Sequence, residues 1–157
     1  MEEQTPAILE LTQKNIPHQI FVHNGPVHSI EQAAAERNQE VSQVVRSIVF
    51  RLNEGEFAMV LIAGKKHISW TALRHHFGMS RLTMASPEEV LENTGYKIGT
   101  VSPFGLKNHL PILADQNVFT QTAVSLGSGR SGTAILMLTK DLKQALGEIE
   151  IGNFAQY

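Results

Sequence analysis

Two apolar runs, residues 44–52 and 57–63, constrain this chain more than any other feature, because only four residues, Asn53-Glu54-Gly55-Glu56, separate them. Val44-Val45-Arg46-Ser47-Ile48-Val49-Phe50-Arg51-Leu52 is rich in β-branched residues, and its alternation is too imperfect for an edge strand. It reads as a mostly buried strand. With a tight, glycine-containing connection to Phe57-Ala58-Met59-Val60-Leu61-Ile62-Ala63, the pair predicts an antiparallel hairpin.

The rest of the chain alternates short helices with strands. Residues 5–14 carry Ala7, Ile8, Leu9 and Leu11 at amphipathic spacing and predict a helix ending near Asn15, and Pro17 then opens a strand over 18–23. Ser29 with Gln32 reads as a capping box for a helix through about Arg37. Ser69 caps a helix through Trp70, Leu73 and Phe77 that Gly78 stops, and Ser86-Pro87-Glu88-Glu89 starts another that ends near Gly95. Strands are predicted over 110–115, 118–124 and 133–138, with a closing helix over 140–146; residues 149–157 form a tail without an assignment. Asp115, at a strand end, reads as a turn or cap residue. Strands joined by both hairpins and helices predict an α+β fold: a mixed, mainly antiparallel β-sheet flanked by helices.

At 157 residues and 42% hydrophobic content the chain fits one domain, 1–157, with a sizeable core. It has no apolar run of membrane-spanning length, and its start, Met1-Glu2-Glu3-Gln4, is acidic where a secretory signal is basic, so a soluble cytoplasmic protein with no membrane partner is expected. The absence of cysteine excludes disulfides, thiolate nucleophiles and Cys-ligated metals. A formal charge of −2 argues against a general nucleic-acid coater. It leaves room for a local basic patch, for which Lys65-Lys66-His67, Arg74-His75-His76 and Arg81 are available beside Arg46 and Arg51.

The seven histidines lack metal-ligand spacing: His75 and His76 are adjacent, and no His-x-x-x-His occurs, so neither a metal nor another cofactor is expected. Ser102, His109 and Asp115 can be written as a triad, yet no nucleophile-elbow sequence accompanies them. Gly99-Thr100-Val101-Ser102-Pro103-Phe104-Gly105 is more informative. It combines permissive glycines with a rigid proline and carries almost no side-chain chemistry, which suits a loop whose backbone N–H groups converge on an anion, a carbonyl oxygen or an oxyanion. A plain surface turn remains the alternative. Gly127-Ser128-Gly129-Arg130-Ser131-Gly132 lacks the lysine of a P-loop and leads into a strand, so it reads as a wide hairpin or as the second wall of a pocket that the Gly99 loop begins.

Taken together, these segments resemble the YbaK/prolyl-tRNA synthetase-associated domain family of aminoacyl-tRNA editing domains. The resemblance runs collinearly through the Ser29-Ile30-Glu31-Gln32-Ala33-Ala34 helix start, the strand at 44–50, the Gly-x-x-x-Pro loop Gly99 to Pro103, the strand at 110–115 and the Gly127 to Gly132 turn. It implies hydrolysis of the ester joining a wrong amino acid to tRNA. Gly99, Thr100, Val101, Ser102 and Pro103 would form the catalytic loop, and Gly127, Ser128 and Gly129 would complete the substrate pocket. Arg46 stands where the family carries a lysine tied to the tRNA 3′ end, and so would bind that end. The implied partners are mischarged tRNA and an aminoacyl-tRNA synthetase. The resemblance leaves open a non-catalytic module that binds charged tRNA, an amino acid or a synthetase, and a small-molecule esterase unrelated to tRNA. Phe21, His28 and Phe104 are candidate pocket-lining residues, or ordinary core.

Overall fold

The apolar hairpin is the centre of the molecule. The computed structural model describes residues 4–156; the acidic start Met1-Glu2-Glu3 and the last residue of the tail, Tyr157, lie outside them. In chain order the elements are α1 (Pro6–Gln13), β1 (Gln19–Val22), α2 (Ile30–Glu36), β2 (Val45–Asn53), β3 (Glu56–Ala63), β4 (His67–Ile68), α3 (Trp70–Phe77) and β5 (Thr83–Met84). There follow α4 (Pro87–Thr94), β6 (Ile112–Asp115), β7 (Ala123–Gly127), β8 (Thr133–Leu138), α5 (Thr139–Leu146), β9 (Glu150–Gly152) and β10 (Ala155–Gln156).

The larger sheet has the order β5-β2-β3-β6-β9, a second sheet has the order β1-β8-β7, and β10 pairs with β4. The β3–β6 and β6–β9 pairs are parallel and every other strand pair is antiparallel, which is the mixed, mainly antiparallel α+β fold expected. Alternation explains why β3 is apolar throughout. Met59, Leu61 and Ala63 face one core with Val45, Val49, Leu126 and Ile135, whereas Val60 and Ile62 face another with Phe50, Leu73, Leu113 and Phe154. Both faces of the strand are therefore covered, and one isolated parallel bridge, Val44 to Ser125, ties the two sheets together.

Local signals set most element ends. Thr5, Ser29, Ser69 and Ser86 each cap a helix by accepting from a backbone N–H three residues on, and Gly78 and Gly95 end α3 and α4 in the left-handed region. Ser86 and Glu89 form a reciprocal capping box. At Ser29 only half of the expected box exists, because the Gln32 carbonyl accepts from His28 N at 2.9 Å while its amide donates to Pro26 and Glu36.

One strand expectation is corrected, and one unassigned segment is resolved. Residues 118–124 are not one strand: Gln116–Phe119 is a 3-10 turn and β7 begins only at Ala123. Asp115 caps that turn by accepting from Asn117 N at 2.9 Å, and the Asn117 amide exchanges two 3.1 Å hydrogen bonds with the Ala63 backbone. These polar contacts outweigh the β-propensity of Val118, which is fully buried in the turn. The tail is also ordered into β9 and β10. Asp115 holds it through Oδ1, which accepts from Phe154 N at 2.7 Å and Ala155 N at 3.0 Å.

Candidate functional site

The loop at 99–105 is open at its Gly99 end and held at its Gly105 end. Gly99 takes φ +88°, and a side chain there would meet nothing within 4 Å, so the glycine serves the backbone conformation and leaves open space beside it. Gly105 takes φ +67° and abuts Pro6 of α1, where an added Cβ would lie 2.4 Å from backbone carbon. Its N–H donates to Glu10 at 3.1 Å. Beneath it the buried Tyr96 hydroxyl donates to Phe104 O at 2.6 Å; burial first, and the Glu10 charge second, push that phenol well above its ordinary value.

The second glycine turn grips the loop from the other side. A Cβ on Gly127 would sit 2.1 Å from Val101 O and 3.0 Å from Thr100 O, so the two backbones touch where only glycine fits. Gly129 N donates to Thr100 O at 2.9 Å. The Ser128 hydroxyl is buried and occupied within its own turn, bonding Arg130 and Thr133.

Several loop groups are already committed. Thr100 N and its hydroxyl both donate to Lys97 O, at 3.0 and 2.7 Å, and Ser102 Oγ accepts from Phe104 N at 3.3 Å. By contrast the N–H groups of Gly99, Val101 and Ser102 have no partner among the described residues. The triad written from the sequence does not form, since Ser102 and Asp115 bond backbone amides and neither bonds His109.

Gly99, Val101 and Gly127 line one cavity of about 210 Å³, together with Arg46, Ser47 and Arg37. Pro103 lies instead against a neighbouring cavity of about 280 Å³ that Glu10 and His109 also line. Phe104 is core, Phe21 stacks edge-on against His23, and His28 is exposed; none of the three lines the cavity at Gly99.

The β2 alternation separates Arg46 from Ser47. Arg46 pairs with Ile62 and shares the face of the second core, and its guanidinium donates to Lys66 O. Its Nε is buried without a partner among the described residues, and burial lowers its pKa. Ser47 pairs with Leu61 on the face of the first core, to which Val101 and Leu126 also belong. Its hydroxyl is likewise buried and unpartnered among the described residues.

Arg37 and Ser47 were not singled out by the sequence. Arg37 follows α2 as its C-cap, where it reads as an ordinary exposed end of a helix. In the fold its Nε donates to His23 Nε2 at 3.1 Å and its Nη1 to Ser125 Oγ at 2.9 Å. His23, nearly inaccessible, faces Glu36 Oε1 through Nδ1 at 2.7 Å. Because the carboxylate can only accept there, Nδ1 carries the proton and Nε2 is the acceptor for Arg37. Hydrogen bonds from Gln32, then His23, hold the Glu36 carboxyl below its ordinary value, and burial lowers Arg37 against the opposing Glu36 charge.

The site is thus a cavity between the two sheets of an α+β domain, walled in part by the backbone at Gly99, Val101 and Gly127 and in part by side chains that include the unpartnered Ser47 hydroxyl. The chain belongs to the aminoacyl-tRNA editing domain family, whose model matches residues 24–145. It is 30% identical over 133 residues to the uncharacterized protein YwhH of Bacillus subtilis (strain 168), covering 85% of this chain and 84% of that one. Proline-tRNA ligases of Thermosipho melanesiensis and Limosilactobacillus fermentum are 33% and 32% identical over 98 and 127 residues, or 62% and 78% of this chain. The chain spans only 17% and 21% of those ligases. Among solved structures, the hypothetical protein APE2540 matches with a TM-score of 0.86 at 21% identity, covering 97% of this chain and 100% of that one. A protein described as a proposed trans-editing enzyme for prolyl tRNA synthetase matches at 0.84 and 24% identity, over 99% and 100%. No helix among the described residues is long and apolar enough to cross a membrane.

Proposed function

We propose that residues 1–157 form one deacylase unit that acts in trans on mischarged tRNA, hydrolysing the ester to the terminal ribose. The observation that carries this reading is the set of unpartnered N–H groups at Gly99, Val101 and Ser102, on the segment that walls the cavity. In this mechanism the loop Gly99-Thr100-Val101-Ser102-Pro103 holds the ester carbonyl. Water attacks the carbonyl carbon while passing a proton to a hydroxyl of the substrate's own ribose or to a second water, which hands one of its own protons on to the departing ribose oxygen. The carbonyl oxygen becomes an oxyanion held by the main-chain donors; its collapse breaks the bond to the ribose oxygen, which leaves with a proton. The products are free amino acid and tRNA.

Removing one oriented donor of this kind costs on the order of a hundredfold in rate, so main-chain groups suffice without a nucleophilic side chain. The cavity is small, and the Ser47 hydroxyl offers a hydrogen bond to a polar group of the aminoacyl moiety. Gly127, Ser128 and Gly129 complete the pocket by fixing the loop, and Arg46 stands at its edge to meet the tRNA 3′ end. Editing of this kind is needed because one methylene supplies only about 1–3 kcal/mol of discrimination. The ligase relatives make tRNA for proline the first substrate to test, with a synthetase as partner.

A panel of mischarged tRNAs tests the proposal: at least one is deacylated well above its rate in buffer, and a flat panel refutes it. One observation favours a second reading, a non-catalytic module for charged tRNA, an amino acid or a synthetase: the Arg46 guanidinium is engaged by Lys66 O. Tight binding of an aminoacyl-tRNA analogue without turnover would select that reading.

A further inference from the structure

We propose that Arg37 is the phosphate-binding residue of this cavity, holding the phosphodiester of the terminal nucleotide while the ester lies against the Gly99 loop. This inference rests on the deacylase reading and adds a residue to it. Guanidinium has five N–H donors, and the two bonds to His23 and Ser125 leave three without a partner among the described residues. No carboxylate contacts it directly: the Glu36 oxygens are taken by His23 and Gln32, on the far side of the imidazole. The cavity lining contains two arginines and no acidic residue, so the ligand it favours is an anion.

The network also explains how Arg37 is aimed. Glu36 fixes the His23 tautomer, His23 Nε2 fixes the guanidinium at Nε, and Ser125 fixes it at Nη1. The remaining donors form a planar fork whose direction is set before the ligand arrives, the geometry that suits a phosphate with two adjacent oxygens. Arg46, bonded to Lys66 O, has less of its fork to offer. His23 and Ser125 are then positioning residues, acting through Arg37.

The test is an NMR titration of the whole chain with three probes: the dinucleotide cytidylyl-adenosine, adenosine and inorganic phosphate. The expected result is that the dinucleotide binds more tightly than either of the others. Arg37→Met is expected to lower dinucleotide affinity by about tenfold or more while leaving adenosine unchanged. It is also expected to flatten the slope of log affinity against log salt by about 0.7, the release expected for one single-stranded phosphate contact. Arg37→Lys keeps the charge and is expected to restore the slope but only part of the affinity, which separates loss of the contact from loss of the fold. His23→Phe is expected to weaken the dinucleotide with the slope retained. An unchanged dinucleotide preference in Arg37→Met overturns the inference, as does inorganic phosphate binding as tightly as the dinucleotide, or no dinucleotide binding at all. A flat mischarged-tRNA panel overturns the deacylase reading instead, and these direct-binding results still decide the role of Arg37.

Discussion

Gly127→Ala isolates the contact that sets the geometry of the loop. The new Cβ would fall 2.1 Å from Val101 O, 2.9 Å from Val101 C and 3.0 Å from Thr100 O, all backbone atoms that cannot swing aside as a side chain would. Because real Cβ atoms do not approach within 3.0 Å, the two backbones must separate by roughly 1 Å. Overpacking of this kind costs about 1–3 kcal/mol of stability. For a domain of this size that lowers the melting temperature by about 2–12 °C. The larger effect is on chemistry, since a displacement of about 1 Å between donors and reacting atoms can cost on the order of a hundredfold in rate. The assay is single-turnover deacylation of a responsive mischarged tRNA below the melting transition, beside Gly132→Ala. Gly132, unlike Gly127, has a positive φ, +76°, and an added Cβ there meets nothing within 4 Å, so this variant reports backbone strain without displacement. Gly127→Ala is expected to lose about a hundredfold in rate, whereas Gly132→Ala keeps most of its activity. Equal rates in the two variants would refute the claim that the turn positions the loop.

Other outcomes follow from single contacts. Ser47→Ala removes a buried hydroxyl without a partner among the described residues, so the melting temperature is expected to hold or rise while substrate affinity falls several-fold; a stability loss above about 1 kcal/mol would contradict its being unpaired. Tyr96→Phe leaves Phe104 O without its donor and is expected to cost about 1–3 kcal/mol in urea unfolding, with a lower kcat at unchanged KM. The Glu89 carboxyl is held below its ordinary value of 4.5, chiefly by the Ser86 backbone N–H. The stability it adds is therefore complete above that value and lost as pH falls through the lower folded one. Glu89→Gln is expected to flatten this part of the acid unfolding curve, and an unchanged curve would show that the capping box contributes nothing.

The elements with strong local punctuation were legible in the sequence. Pro87 and the Ser86–Glu89 box fixed α4, Ser69 and Gly78 bracketed α3, and the apolar hairpin emerged as β2 and β3. The strand expected over 118–124 failed because Asp115 and Asn117 make side-chain bonds to backbone that residue propensity does not register. The tail was unreadable for a related reason: β9 and β10 are short and depend on β6, β4 and the Asp115 carboxylate, all distant in sequence. At the site, the glycine runs announced themselves, since backbone requirements leave a residue signature. Arg37 and Ser47 did not. Their significance comes from burial and from partners such as His23 and Ser125, the latter 88 residues away from Arg37 in sequence.

The claim that main-chain donors hold the ester is tested most directly by amide NMR with a non-hydrolysable 3′-aminoacylamido-adenosine, in which an amide replaces the ester. The Gly99, Val101 and Ser102 resonances are expected to shift together and to gain protection from hydrogen exchange as the ligand binds. Saturable binding that leaves those three amides unmoved would contradict the account.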